Sequence, residues 1–311
     1  MDKAELLMPP MWVRVAGAMI RRLPAGRYRV INEICRRPPS AFLMPMSAEM
    51  GGFTFRCDLR DAISREVCFT GRYEPQETSL VQSILRPGMT FVDVGANWGY
   101  FTLLAAHLVG KGGRVVSLEP DPRLFPILQE SLIRNQLEQV IALQVAAASE
   151  DGTLKLAGYN ESGDNFGISR IVGEGERETT FDVMARPLDK VFDDLGIHNI
   201  DLLKMDIEGF EGYALLGLEN SLRHLLIKRL LIELHPAEIA GHGQSVKEII
   251  RRLRGFGYQA WQLDHSKDAS RRAAYDKHRD FKSSLRPFDE HAELDDWPHL
   301  LWTMPGLEPL W

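Results

Sequence analysis

Asp93-Val94-Gly95-Ala96-Asn97-Trp98-Gly99 sets an acid, two glycines and a polar side chain between two apolar runs. A turn of this kind, leading from a strand into a helix, suits a ligand with a charged end. Gly95 lets the chain reverse tightly and Gly99 permits close approach. Backbone amides at the helix start can receive a carboxylate. Asp93 stands where an acid can meet an ammonium group, directly or through water. Glu119 closes the next apolar run, where a carboxylate can accept hydrogen bonds from both hydroxyls of a ribose. An acid there also fits a nicotinamide dinucleotide, but the turn separates the two. A dinucleotide turn reads GxGxxG, so that a pyrophosphate can come close. Here Ala96, Asn97 and Trp98 lie between Gly95 and Gly99, which crowds a pyrophosphate and leaves room for an amino-acid moiety.

Lys204-Met205-Asp206-Ile207-Glu208-Gly209-Phe210-Glu211 brings a second acidic group. Asp206 ends a strand on the same rim, and Glu208 opens the next helix at its positive end. The plain alternative is a capping turn with a surface lysine, but two acids so close exceed what a cap requires. Asp206 could orient a nucleophile or draw its proton. Glu233 and His235 end the following strand, and period-two spacing puts them on one face. A neutral histidine is a candidate general base near pH 7; a rim histidine satisfied by hydrogen bonds is the alternative. Asp206, Glu208, Glu233 and His235 have no dedicated ligand spacing, so no metal is expected. Asn135 ends the helix after Glu119, and the small residues around Ala147 leave room for a flat base.

These residues need a frame that collects strand ends, and the hydrophobic pattern supplies one. Strands are expected at Thr90–Val94, Arg114–Glu119, Val140–Ala147, Asp201–Met205 and Arg229–Leu234, with a closing pair at Tyr258–Leu263 and Leu300–Met304. Helices are expected at Tyr100–Val109, from Asp121 to about Arg134, Leu188–Leu195, Phe210–Leu225 and Val246–Phe256. Such alternation implies a mostly parallel α/β sheet with helices on both faces, which binds ligands beyond the strand ends. Residues 150–186 read as strands and a mobile loop, and the charged stretch 265–297 as an excursion or lid. Residues 1–72 form an N-terminal extension, helical and basic with a strand at Phe53–Leu59; residues 73–311 form the main domain.

With 44% hydrophobic and 26% charged residues, the 311-residue chain has ordinary globular composition. Its net charge of -6 excludes a general basic field, so nucleic acid is not an expected partner. Three scattered cysteines suggest neither zinc nor disulfides, and a reducing, cytoplasmic compartment is expected. The apolar stretch Met11–Ile20, followed by Arg21, Arg22, Arg27 and Arg29, reads as an amphipathic helix. It packs on the domain or on a partner chain, including a homo-oligomer, or else touches an anionic membrane surface.

Tyr73-Glu74-Pro75, Pro87-Gly88, Phe91-Val92-Asp93-Val94-Gly95-Ala96-Asn97-Trp98-Gly99-Tyr100-Phe101-Thr102, Ser117-Leu118-Glu119-Pro120 and Leu203-Lys204-Met205-Asp206-Ile207-Glu208-Gly209 together resemble the FkbM family of methyltransferases over residues 73–263. The resemblance implies a class I, Rossmann-like methyltransferase fold with a seven-stranded sheet and S-adenosylmethionine as cofactor. It also implies methylation of a hydroxyl on a sugar, glycolipid or natural product. An amine acceptor and a catalytically silent cofactor-binding subunit are the alternatives. Asp93, Gly95, Ala96, Asn97 and Gly99 would form the cofactor loop, and Glu119 would hold the ribose. Tyr73 and Glu74 would close over the cofactor, and Asp206 and Glu208 would lie at the active centre. Trp98 departs from the smaller aliphatic residue commoner there.

Overall fold

The computed structural model describes residues 8–158, 169–172, 180–275, 285–288 and 297–310. Among these residues eight strands form the main sheet: β1 (Thr90–Val94), β2 (Arg114–Leu118), β3 (Val140–Leu143), β4 (Leu202–Met205), β5 (Arg229–Glu233), β6 (Gln259–Leu263), β7 (Leu285–Pro287) and β8 (His299–Thr303). Their spatial order is β7-β6-β8-β5-β4-β1-β2-β3. The pairs from β5 to β3 are parallel, and β8, β6 and β7 join antiparallel. The order reverses at β1 and β4, so the crevice beyond their carboxyl ends is the place for a ligand.

Alternation along each strand divides the apolar residues between two layers. Phe91, Val115, Leu202 and Leu231 face a core shared with the Tyr100–Val109 helix. Val92, Val116, Leu203 and Leu230 face the core closed by Leu188–Leu195 and Val246–Gly255. Residues from the N-terminal extension join the first core, from Val13 and Ile20 on the Met11–Ile20 helix to Phe55 in the Phe42–Pro45/Thr54–Cys57 hairpin.

The structure departs from the sequence reading at several points. The sheet has eight strands rather than seven, because Leu285–Pro287, inside the 265–297 excursion, adds to the edge beside β6. The third strand stops at Leu143, and Ala146–Ala147 joins a second sheet with Gly152–Gly158, Ser169–Val172 and Thr180–Arg186. The helix expected over 210–225 is two, Glu211–Leu216 and Glu219–Arg223. The break falls at Gly217, where a β-carbon would lie 2.0 Å from the Ala148 carbonyl oxygen. The helix expected from Asp121 begins at Phe125, after a turn in which Leu124 and Phe125 donate to the Asp121 carbonyl and the Asp121 carboxylate takes the Arg123 amide and guanidinium. The expected mobile loop and much of the expected lid lie outside the described residues.

Candidate active site

A cavity of about 150 Å³ opens at the carboxyl ends of β1, β2 and β4. Its floor is the Gly95–Trp98 turn. Glu119 stands at one end, Asp206 and Glu208 at the other, and Ala147, Leu156, Ile171 and Phe210 form an apolar wall. Two glycine constraints hold the floor. Gly95 has φ +88°, and a β-carbon there would lie 2.0 Å from the Asp206 carbonyl oxygen. Gly99 has φ +85°, and a β-carbon would meet Leu128 at 2.6 Å.

Glu119 is 4% exposed, and each of its oxygens accepts one backbone amide, from Asn97 at 2.6 Å and from Asp121 at 2.8 Å. Lone pairs remain on both oxygens for a ligand's hydroxyls. Burial pushes its carboxyl up to about 7, against the pull of those two amides. Asn97 adopts φ +52°, a conformation asparagine tolerates. The turn's own amides are already used: Gly95 and Ala96 donate to Leu118, Trp98 to the Asn97 side chain and Gly99 to Ala96.

Strand register explains the acidic end. Lys204 on β4 lies opposite Asp93 on β1, and Glu233 on β5 lies opposite His299 on β8. Lys204 is 4% exposed, and its ammonium lies 3.1 Å from Asp206 Oδ2 and 4.7 Å from the centre of the Phe101 ring. Burial pushes Asp206 upward, but Lys204 and His235 outweigh it and hold the carboxyl below its ordinary value. Burial and the neighbouring Asp206 charge push Glu208 the other way, up to about 7. Carboxyl oxygens of Glu74, Asp206 and Glu233 lie within 4.8 Å of one another.

Compared with known proteins, residues 93–260 match the family model for the methyltransferase FkbM domain. The chain belongs to the FkbM methyltransferase family. Like that family, it is an enzyme of the methyltransferase class and uses S-adenosylmethionine. It is 28% identical over 203 residues to the 31-O-demethyl-FK506 methyltransferase FkbM of Streptomyces tacrolimicus, covering 56% of this chain and 74% of that one. It is 26% identical over 204 residues to the AMB antimetabolite synthetase AmbE of Pseudomonas aeruginosa, covering 54% of this chain and 10% of that much longer protein. A solved structure of the FkbM methyltransferase of Methylobacillus flagellatus is 18% identical, with a TM-score of 0.43, covering 78% of this chain and 55% of that one.

The residues around the cavity of this FkbM-family chain suit the cofactor chemically: a buried carboxylate, Glu119, stands among small and apolar residues, with the acids Asp206 and Glu208 on the same lining. Tyr73, Gly95, Ala96, Asn97, Glu119, Ala147, Asp206 and Glu208 all line it. Five other sequence candidates do not line it: Asp93, Glu74, Gly99, Asn135 and His235. Asp93 lies behind the turn, 1% exposed, where it accepts a 2.7 Å hydrogen bond from Thr102, itself 2.7 Å from Ser117. Glu74 faces Asp206 and Glu233 rather than the cavity. Gly99 shapes the helix start from below. Asn135 is a correction: both ends of its amide bond to the Thr54 backbone at 2.8 Å, pinning the N-terminal hairpin to the Phe125–Arg134 helix.

His235 is corrected in its chemistry. Its Nδ1 is 2.9 Å from Glu211, and its Nε2 is 3.4 Å from Glu208 and 3.8 Å from Glu233. Burial alone would strip its proton, but Glu211 first, then Asp206 and Glu208, reverse the sign and push it up to about 10. At pH 7 it is an imidazolium, a charge partner rather than a neutral base. Lys204, a surface lysine only in the alternative reading of its turn, is a buried cation of the site. Trp98 is fully buried and pairs with Asp61, the N-cap of Ala62–Thr70. Nothing in the spacing of Asp61 or Lys204 distinguishes them; only the fold brings them to the cleft.

Proposed function

We propose that the chain is an O-methyltransferase acting on a hydroxyl of a sugar, glycolipid or natural-product acceptor. The observation that carries this is a pair of acids on the cavity wall in unlike surroundings: Asp206, 3.1 Å from the Lys204 ammonium, and Glu208. Two carboxyls pushed apart by their surroundings divide the work of charge and proton. Asp206, held ionised by Lys204, supplies fixed negative charge. Glu208, poised near neutrality and lining the cavity, accepts the acceptor's proton. Bound S-adenosylmethionine would supply an electrophilic methyl group. Glu119 and the Gly95–Asn97 turn would hold its nucleoside end, with Tyr73 over it. The protein's task is then to set a hydroxyl in line and keep water out. Glu208→Gln should lower kcat at least about 100-fold and leave S-adenosylmethionine affinity near wild type. A radiolabelled-methyl assay on hydroxyl acceptors beside calorimetry reads both, and wild-type turnover removes Glu208 from the role.

A membrane-borne acceptor is favoured by the Met11–Ile20 helix. Val13, Gly17 and Ile20 bury one face, while Met11 (77%), Val15 (54%) and Met19 (65%) are exposed on the other. Arg14, Arg21 and Arg22 flank that stripe, and the helix borders a groove of about 880 Å³ that Arg27 and Arg72 also line. Exposed apolar residues with flanking cations suit an anionic bilayer surface. No helix among the described residues is long and apolar enough to cross a membrane. Co-sedimentation with vesicles containing phosphatidylserine, lost in Met11→Asp/Val15→Asp, would support surface binding; equal recovery with neutral vesicles would refute it.

A further inference from the structure

Glu77, His265 and His299 come from three distant segments: the Pro75–Ile84 helix, the chain just beyond β6, and β8. His265 Nε2 lies 2.6 Å, and His299 Nδ1 2.8 Å, from the same oxygen of Glu77. The two imidazoles stack with centroids 3.9 Å apart and planes at 14°. Glu77 is 1% exposed; its Oε1 is shared by both imidazoles, while no partner at hydrogen-bond geometry meets its Oε2. A buried carboxylate oxygen left this way is costly unless something else satisfies it. One donor atom from each residue lies within 4.8 Å of the other two.

We propose that Glu77, His265 and His299 bind a divalent transition metal, zinc by donor set. One carboxylate and two imidazoles are a three-ligand zinc set that leaves a fourth position open. The outer shell fits as well. The second nitrogen of His299 lies 3.5 Å from Glu233 Oε1, the carboxylate–histidine arrangement that orients metal-bound imidazoles. Donors on a tetrahedral zinc stand about 3.3 Å apart. Seating the ion therefore widens the two contacts by about half an ångström and tilts the rings out of their stack. His265, its side chain 23% exposed, has room to turn. The ion would tie the helix that follows Tyr73 and Glu74 to the closing strands. It would lie outside the cofactor cavity, with Glu233 between it and the Glu74/Asp206 pair.

The test uses the full chain freed of metal by chelation and titrated with zinc chloride. Expected are one zinc per chain by mass spectrometry of the dialysed protein and an upward shift in Tm. His265→Gln, at the rim, should fold as wild type by circular dichroism and bind zinc at least about 100-fold more weakly. Cobalt substitution should give a tetrahedral visible spectrum that His265→Gln abolishes. Wild-type protein that retains no zinc overturns the site. So does zinc retained equally by His265→Gln, which would move the ion to Asp206, Glu208 and His235. Neither readout depends on methyl transfer, so the proposed activity and this site can fail separately.

Discussion

Lys204 and Asp206 stand two residues apart at the tip of β4, joined by a 3.1 Å ion pair in which the lysine is 4% exposed. Around the same ammonium lie Glu74, Asp93 and Glu233. This cation, with the His235 imidazolium, thus holds together an acidic site that would otherwise repel itself apart.

Lys204→Met should therefore destabilise the protein by about 3–5 kcal/mol, because it leaves several buried carboxylates without their counter-charge. Urea denaturation measures this. A loss below about 1 kcal/mol would mean that those acids are already neutral and the lysine contributes little.

Glu119 and Asp93 should separate. Glu119→Ala removes a carboxylate that lines the cavity and should weaken S-adenosylmethionine binding about tenfold or more. Asp93→Ala removes a buried partner of Thr102 and should lower stability by about 1–3 kcal/mol, with a smaller effect on affinity. Calorimetry alongside thermal melts distinguishes them, and equal affinity losses would place Asp93 in contact with the cofactor.

Gly95→Ala adds a β-carbon at φ +88° against the Asp206 carbonyl. A destabilisation of about 1–3 kcal/mol and loss of cofactor binding are expected, since the turn must shift away from β4. Normal affinity in this variant would show that the two strand tips can separate freely.

The pH dependence follows from His235. Its folded pKa of about 10 exceeds the unfolded value of 6.5. The folded state then holds the proton more tightly, so this contribution is complete below pH 6.5 and is lost as pH rises through 10. Glu208, raised from 4.5 to about 7, acts with the same sign at lower pH. Wild-type stability should fall from pH 7 toward 10, and His235→Gln should flatten that slope. Parallel pH–stability curves for the two proteins would contradict the assignment.

The parallel sheet was legible because every strand from β1 to β5 carries a continuous apolar run and a turn signal. Glu119, Asp206 and the glycine turn were legible because strand-end position fixes their place. What stayed hidden depends on neighbours distant in sequence. Asp93 fills the acidic slot of a cofactor loop in sequence, yet β1 alternation points it to the helix side, toward Thr102. His235 reads as a base until Glu211 and Glu208 surround it. Asn135 ends the right helix, but its amide serves Thr54, 81 residues away. Glu77, His265 and His299 share no spacing that a reader of the chain could recognise.

Among the described residues one edge of the main sheet is β7, three residues long and ending in Pro287. A proline has no amide to offer a further strand, and so short a border makes a poor template for one. A segment from another molecule would find little there to zip onto, so the excursion that supplies β7 also blunts one of the sheet's two borders.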